Sequence, residues 1–404
     1  MRLTGHNAPM PAAEPSRRRW LVLAAGLAAM TAGCAVQYGL AYLIPALRSE
    51  GRSLEEAAFL ASAPTAGILV TLIVWGVATD RWGERRVLVA GLGASAVALG
   101  ASTLTSDTPA RWALLFVGGA TSAAVHAASG RLVLGWFAAA ERGLAMGIRQ
   151  MGQPLGVGAA AVVLPTVAAS GGVDAALFVL AVAAVATAGL VLLAVTDPTL
   201  PAATEAGTRN PYRGSYLGRI HLASALLVVP QFAVAVFAFD YLVTALGWDT
   251  GAAGALLAIA AVAGAIGRLV VGWWSDRRRA RLAPMRTVAV VIGLVMSALA
   301  LGASMAGEAG VVLVVIAAIV TVAPNGLAYT AVAERAGPAW AGRALGIQNT
   351  FQNLVAALVP VPLAALIGLA GGGGAGYGAA WAVAAVVPLV AAAVIPVRRE
   401  RPPG

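Results

Sequence analysis

The sequence has no lysine, one cysteine and three histidines, and charged residues make up only 11% of its 404 residues. Without lysine the chain has no phosphate-binding loop of the type Gly-x-x-x-x-Gly-Lys-Ser/Thr, which argues against an ATP-driven pump. Cys34 alone makes no intramolecular disulfide, and His6, His126 and His221 are too scattered to build a metal centre. We therefore expect no metal ion and no other cofactor.

Catalytic signatures are missing as well. The chain contains neither Gly-x-Ser-x-Gly nor His-Glu-x-x-His, and no pair of acids falls at one depth of an apolar run. We therefore do not expect an enzyme. A membrane-embedded enzyme or a receptor remains the remote alternative of another class.

Apolar residues dominate what is present. They make up 60% of the chain, whereas a soluble domain is about half apolar and about a quarter charged. The net charge of +10 comes from arginines, most of which stand in short loops between apolar runs. This is the positive-inside pattern of a multi-pass membrane protein rather than a nucleic-acid-binding surface.

A transmembrane helix needs about 20 apolar residues, and the sequence contains twelve such runs. We therefore predict an all-α integral membrane protein with twelve transmembrane helices in two six-helix halves around a central cavity. The runs are Trp20–Leu47, Ala57–Thr79, Val87–Thr105, Trp112–Phe137, Leu144–Val167, Ala175–Val195, His221–Leu246, Ala252–Trp274, Thr287–Ala306, Val311–Val332, Ala344–Ala370 and Gly376–Val397.

A polar segment rich in proline and glycine separates the sixth run from the seventh, which is typical of a linker. Placing the arginine-rich loops on one side puts both termini in the cytoplasm of a multi-pass protein of the cytoplasmic membrane. The predicted units are an N-terminal tail at 1–19, a bundle at 20–195, a cytoplasmic linker at 196–219, a bundle at 220–397 and a C-terminal tail at 398–404.

Two loops carry related motifs at the ends of the second and eighth runs. The first is GVATDRWGERR at Gly76–Arg86, and the second is GWWSDRRRAR at Gly272–Arg281. The first motif resembles the signature loop of the major facilitator superfamily of secondary transporters, and Arg279 replaces the second glycine in the second copy. The positions that carry the resemblance, implied to form a conformational latch, are Gly76, Asp80, Arg81, Gly83, Arg85, Arg86, Gly272, Asp276 and Arg277.

The chemistry of the first loop follows from its position. Asp80 stands at the C-terminal end of a helix, where the helix dipole is negative, so its carboxylate needs a positive partner. Arg81, Arg85 and Arg86 are candidates, and the N-terminus of a neighbouring helix is another. Gly76, one turn earlier, leaves room for such a helix, and the resemblance places the latch against the start of helix eleven.

The repeat extends beyond these loops. Arg142–Gly156 aligns with Ala341–Val355, and the alignment pairs Gly147 with Gly346, Arg149 with Gln348 and Gln150 with Asn349. The two halves are therefore related by an axis along the membrane normal, as the halves of this superfamily are.

Arg268 is the first candidate for substrate binding. It precedes Asp276 by eight residues, about 12 Å along a helix, which places it near the middle of the membrane. Its position is similar to that of the helix-eight arginine that holds anions in nitrate and monocarboxylate carriers of the superfamily. The alternative is a structural pair with a neighbouring helix.

Other polar residues within the runs are candidates for a cavity lining. Several amides lie close together near Gln348, which favours a wet cavity, although single amides in membrane helices more often join helices. With Arg268, the predicted substrate-binding residues are Arg149, Gln348, Asn349, Gln352, Asn325, Tyr329 and Tyr38.

A titratable group near mid-membrane is required for proton coupling, and His126 is the first candidate because histidine changes charge near physiological pH. A hydrogen-bonded structural histidine is the alternative. Asp240, in the seventh run, is the second candidate, and an acid in an outer loop is its alternative.

Arginines with little acid favour a small organic anion, carried with protons by a symporter. A proton-coupled exporter of drugs or metabolites in the same superfamily is the alternative, because Gly152, Pro154 and Gly156 resemble the glycine-proline pattern of exporter helix five. Close helix packing and a kink explain the same three residues. The expected partners are the lipid bilayer, a small-molecule substrate and protons, with no nucleic acid, and the protein is expected to be a monomer.

Overall fold

The computed structural model of the protein describes residues 17–52, 54–197, 210–303 and 308–397. Every regular element in these ranges is a helix, which confirms the all-α fold. The predicted C-terminal tail, most of the N-terminal tail and much of the linker lie outside them. The α-helices are α1 Arg18–Gly39, α2 Ile44–Ser49, α3 Leu54–Trp82, α4 Glu84–Ser102, α5 Thr108–Ser122, α6 Ala124–Trp136, α7 Arg142–Gln150, α8 Gly152–Ala194, α9 Ser215–Asp240, α10 Thr250–Arg278, α11 Leu282–Ala303, α12 Glu308–Val320, α13 Asn325–Ala336, α14 Ala341–Leu358, α15 Pro360–Leu369 and α16 Gly373–Val394.

Ten helical segments of the described chain are long and apolar enough to cross a membrane. One of them, Arg142–Ala194, has 53 residues, about 80 Å at 1.5 Å per residue, which is more than two membrane crossings. It breaks at Gly172, whose φ of 76° is a conformation that favours glycine, and so provides two passes. With α4 as a further pass, the helices account for the twelve predicted runs. The chain turns between the predicted runs Leu144–Val167 and Ala175–Val195 at this single non-helical residue.

Several predicted passes are pairs of helices rather than single helices. Proline accompanies some of these breaks: Pro154 follows the α7 to α8 break and Pro324 precedes α13. Proline has no N–H to donate, so the carbonyl four residues earlier is left without a helical partner. Breaks of this kind leave backbone carbonyls available to side chains near the middle of the bundle.

Packing between the halves repeats the internal symmetry. Within the halves, α1 packs along α8 and α11 packs along α16. Across the halves, α3 packs on α14 and α10 packs on α7. The helices α3 and α10 carry the two Asp-Arg motifs. Each half therefore contributes one motif helix, which packs on a helix of the opposite half.

The outer surface of the bundle is apolar. Val162 is 70% exposed, Leu193 is 84% exposed and Ile259 is 67% exposed. An exposed apolar surface of this extent marks contact with another apolar medium. The lipid bilayer supplies that medium for a protein with this many membrane passes.

Each motif loop contains one residue with a positive φ. Gly83 has φ of 85°, and Arg279, which stands at the matching place in the second loop, has φ of 48°. A side chain in this left-handed region costs about 1 kcal/mol, whereas glycine adopts it freely. Arg279 is exposed, so its side chain gains little from burial there.

We therefore expect Arg279→Gly to raise the midpoint of thermal unfolding in detergent by about 1–2 °C. Arg278→Gly is the matched control, because Arg278 is the last residue of α10 and glycine there costs about 1 kcal/mol of helix stability. The two midpoints, measured by tryptophan fluorescence, should move in opposite directions. A lower midpoint for Arg279→Gly would contradict the backbone argument.

Candidate functional site

The first motif docks its carboxylate on a helix of the other half. Asp80 Oδ1 accepts from the backbone N–H of Gly342 at 2.7 Å, and Oδ2 accepts from that of Arg343 at 3.0 Å. The guanidinium of Arg343 also donates to Oδ2 through Nε at 2.9 Å. Gly342 and Arg343 open α14, whose unpaired N–H groups and positive dipole end favour a carboxylate. We call this arrangement the first latch.

The second motif repeats the arrangement in the opposite direction. Asp276 accepts from the N–H groups of Gly143 at 2.9 Å and Leu144 at 2.8 Å, at the start of α7. The internal alignment pairs Gly143 with Gly342, so the two carboxylates bind equivalent helix ends. We call this the second latch. Arg281 pairs with Asp276 and with Glu334.

Glycines allow both helix crossings. A Cβ atom on Gly76 would meet the carbonyl oxygen of Gly342, and one on Gly272 would meet that of Gly143. A methyl group at either position would push the helices apart and lengthen the hydrogen bonds to Asp80 or Asp276. The two glycines therefore set the spacing on which the latches depend.

The latch partners differ from the arginines considered from sequence. Asp80 pairs with Arg343 and, at 3.8 Å, with Arg131. By contrast, the N–H of Arg85 donates to Asp197 at 2.8 Å, within the first half. Arg277 stacks on Trp273 at 4.1 Å. The sequence offered two kinds of partner for Asp80, the arginines of its own loop and a helix N-terminus. The structure shows the helix N-terminus, together with Arg343 and Arg131 from outside the loop.

A small polar cavity lies between the halves. Its volume is about 40 Å³, enough for a few water molecules. The Tyr329 hydroxyl, which has one proton to donate, lies 2.6 Å from the side-chain oxygens of both Asn349 and Gln352. Gln37 of α1 donates to Asn353 of α14 at 2.9 Å, across the halves. We call this the polar cavity, and its lining includes Met30, Cys34, Gln37, Tyr38, His126, Gln150, Gln153, Gln231, Asn325, Tyr329, Asn349, Gln352 and Asn353.

His126 stands in the wall of the polar cavity. Its side chain is 96% removed from solvent, with a relative exposure of 4%. Neither ring nitrogen has a hydrogen-bond partner among the described residues. Such orphaned buried nitrogens are uncommon, and a polar cavity beside them offers room for water or another donor.

Arg149 lies behind the cavity wall rather than in it. Its relative exposure is 0%, and it donates to the Ser129 hydroxyl at 2.8 Å, the Gln150 side chain at 2.7 Å and the His126 carbonyl at 2.6 Å. The ring of Tyr329 lies 5.3 Å from its guanidinium carbon. No carboxylate pairs with it among the described residues. Arg149 therefore lies outside the lining of the polar cavity in this structure.

Gln348 also lies outside the polar cavity. It accepts from His221 and donates to the hydroxyl of Ser224. His221 in turn meets the hydroxyl of Tyr212 at 2.9 Å, and burial raises the pKa of Tyr212 to about 12, which keeps that hydroxyl protonated. Gln348 thus joins α14 to α9, the interhelical role of many membrane amides.

Arg268 lines a second cavity of about 250 Å³ between α8, α9, α10 and α12. Its other walls are mostly alanine and valine, including Val234, Ala261, Ala265 and Val322. We call this the apolar cavity. Gln231 borders both cavities and accepts from the Asn325 side chain at 3.0 Å.

Two backbone carbonyls hold the Arg268 guanidinium. Nη1 donates to the carbonyl of Gln150 at 2.6 Å, and Nε donates to that of Val322 at 3.2 Å. The Gln150 carbonyl is available because Pro154 stands where its helical N–H donor would be. Nη2 has no hydrogen-bond partner among the described residues, so part of the guanidinium remains for a ligand.

The second proton candidate, Asp240, lies away from both cavities. It is exposed at the end of α9 and accepts from the hydroxyl of Tyr377. Within the described ranges no three histidine, cysteine, aspartate or glutamate residues gather to hold a metal ion. Of the predicted site residues, those that line the polar cavity are Tyr38, His126, Asn325, Tyr329, Asn349 and Gln352.

Known proteins resemble the chain over most of its length. The sequence profile of the Major Facilitator Superfamily matches residues 21–360. The Uncharacterized MFS-type transporter Rv2994 of Mycobacterium tuberculosis (strain ATCC 25618 / H37Rv) is 39% identical over 391 residues, covering 96% of this chain and 86% of that protein.

Solved structures share the fold. The E. coli fucose:proton symporter FucP matches with a TM-score of 0.75 at 15% identity, covering 95% of this chain and 100% of that chain. The human organic anion transporter MFSD10 (TETRAN) matches with a TM-score of 0.71 at 15% identity, covering 93% of this chain and 99% of that chain.

Proposed function

The chain belongs to the major facilitator superfamily of membrane transporters, and from that premise we propose that it carries a small organic anion together with protons. Alternating access moves the substrate in this proposal, and the two latches hold one end of the bundle closed between the halves. The arginine-rich loops make that end the cytoplasmic one.

The observation that carries the proposal is the unpaired arginine of the apolar cavity. Among the described residues, Arg268 faces carbonyl oxygens and no carboxylate, and Arg149 nearby is also without an acid. An arginine inside a membrane helix costs about 2.5–3.5 kcal/mol to insert, so a binding role is the usual reason for one. An anion at Nη2 supplies the missing negative charge.

The cavity walls define the rest of the substrate. Alanine and valine side chains leave space for a compact apolar body above the guanidinium, and they offer few hydrogen bonds to a sugar. The substrate class is therefore a monoanion with an apolar body. An aromatic monosulfonate such as p-toluenesulfonate is a suitable probe, because it stays ionised at every working pH.

Binding is tested by thermal shift of the purified protein in detergent. Benzoate and p-toluenesulfonate should raise the unfolding midpoint, since a ligand that binds only the folded state stabilises it. Cationic drugs and sugars serve as comparison ligands. Stabilisation by cationic drugs alone would support the multidrug exporter instead.

The glycine-proline pattern that favours an exporter has a packing explanation in the structure. A Cβ on Gly152 would meet Met30, and one on Gly156 would meet the carbonyl of Thr31. Both glycines therefore pack α8 against α1. The two cavity linings, as described, contain no aspartate or glutamate to attract a cationic drug.

His126 is the proposed proton site, with Asp240 second. For electroneutral symport of one proton per anion, a gradient of one pH unit drives up to about tenfold accumulation of p-toluenesulfonate in liposomes. We expect His126→Gln to lower that ratio to about one, because glutamine keeps hydrogen bonding but does not titrate in this range.

His221→Gln is the matched control, since His221 is hydrogen bonded to Gln348 and lines neither cavity. It should retain accumulation. A protonophore should abolish accumulation by the wild type. Accumulation that survives both His126→Gln and Asp240→Asn would exclude proton coupling at these residues.

A further inference from the structure

The anion and proton candidates lie in different cavities but are joined by hydrogen bonds. Arg268 donates to the backbone carbonyl of Gln150 at 2.6 Å. The side-chain oxygen of the same Gln150 accepts from Arg149 at 2.7 Å. Arg149 then donates to the backbone carbonyl of His126 at 2.6 Å. We call Arg268, Gln150, Arg149 and His126 the relay.

The relay passes through the junction between α7 and α8. Gln150 is the last residue of α7, and α8 begins at Gly152. Because Pro154 has no N–H, Arg268 is the donor that satisfies the Gln150 carbonyl. Met151 keeps helical φ and ψ and donates to the carbonyl of Ile148 at 3.0 Å, so the Gln150 carbonyl is the group here that depends on a tertiary donor. A helix bends most readily at such a proline-opened position.

We propose that Arg149 and Gln150 couple anion binding at Arg268 to the state of His126. The inference rests on the proposed function, because it takes the anion and proton sites from it. An anion bound at Nη2 draws the Arg268 guanidinium towards itself and weakens the hydrogen bond from Nη1 to the Gln150 carbonyl. Release of that carbonyl shifts Gln150, and Arg149 passes the shift to the helix segment that carries His126.

Burial gives Arg149 the properties of a positioning residue. It is sealed from both cavities, so it contacts neither the anion nor the proton. Its donors nevertheless reach α6 at Ser129 and His126, and its guanidinium lies against Tyr329 of the other half. Coupling between two sites needs an element with two arrangements that both sites bias, and the α7–α8 junction is that element in this proposal.

Other ionisable groups near His126 must be considered in a pH experiment. They are Cys34 and Tyr38 of α1, Arg149 of α7, Arg268 of α10 and Tyr329 of α13. No aspartate or glutamate lines the polar cavity, as described, so histidine is the group in it that ordinarily titrates between about pH 5 and about pH 8.

The test measures the affinity of purified protein for p-toluenesulfonate near pH 8 and near pH 5 by calorimetry. If proton and anion binding are linked, the wild type binds the probe about tenfold more tightly at the lower pH. Gln150→Met removes the side-chain oxygen that Arg149 uses and keeps the backbone carbonyl for Arg268. It should still bind the probe, with the pH effect reduced to less than about twofold.

Two further variants make the result specific. Arg149→Lys keeps the charge, but its ammonium does not reproduce the guanidinium fork, so it should weaken the pH effect as well. Gln153→Met is the matched control, because Gln153 lines the same cavity and has no part in the relay. It should retain the tenfold effect. Unfolding midpoints establish which variants are folded.

The outcomes separate this inference from the proposed function. A full pH effect in folded Gln150→Met or Arg149→Lys overturns the relay and leaves anion transport standing. A wild type that does not bind the probe, or binds it equally at both pH values, overturns the proposed function itself. If Gln153→Met also loses the pH effect, the losses in the relay variants reflect general damage to the cavity. That result would also overturn the relay.

Discussion

Asp80→Asn is expected to reduce transport by at least about tenfold while leaving a folded, membrane-inserted protein. The carboxylate accepts three hydrogen bonds from Gly342 and Arg343, and the neutral amide keeps one oxygen and loses the charge. Hydrogen bonds to a charged group contribute about 1.5–3 kcal/mol each, so the state with this latch closed loses about 3 kcal/mol, or about a hundredfold in population. Flux of p-toluenesulfonate in reconstituted vesicles measures the effect.

Two variants control this experiment. Asp276→Asn removes the equivalent carboxylate of the second latch and should reduce flux similarly. Asp197→Asn is the matched control, because Asp197 binds the N–H of Arg85 within one half and does not bridge the halves. Wild-type flux in Asp80→Asn would refute the latch interpretation for this protein.

Arg268→Ala is expected to abolish anion binding. A ligand at Nη2 forms charge-assisted hydrogen bonds, and losing about 3 kcal/mol corresponds to at least about a hundredfold weaker affinity. The folded state should survive, because the variant also removes a buried charge that pairs with no carboxylate in the described part of the chain. Calorimetry with p-toluenesulfonate measures the loss, and the unfolding midpoint establishes the fold.

Arg219→Ala provides the comparison for Arg268→Ala. Arg219 also donates to a backbone carbonyl, that of Val394 at 2.8 Å, but it lines neither cavity. Its loss should leave affinity for the probe within about twofold of the wild type. If Arg268→Ala binds the anion as the wild type does, Arg268 is only a structural pair between helices.

The membrane passes were predictable because apolar length fixes them almost alone. The turn between the fifth and sixth passes was not located from the sequence, since Gly172 alone reverses the chain. Hydropathy does not locate such a turn, because the residues on both sides of it are apolar. A glycine pair at positions 171 and 172 was the available signal.

The site was predictable in part. Internal repetition identified both motif carboxylates, but Arg343 was missed because its equivalent in the first half is Leu144. Arg149 and Gln348 were predicted to line the substrate site, yet they face neighbouring helices. In a membrane helix both the lipid face and the packed face are apolar, so periodicity alone does not tell which polar residue faces a cavity.

Each half contributes one carboxylate and one helix N-terminus, and each receives the other kind of group from its counterpart. Two identical patches that meet about a two-fold axis form an isologous contact, as in a symmetric homodimer. The closed end of this bundle is therefore one self-complementary patch used twice. Because the two copies are fused in one chain, each copy can change alone. The equivalent helix positions illustrate this, since one latch has Leu144 where the other has Arg343.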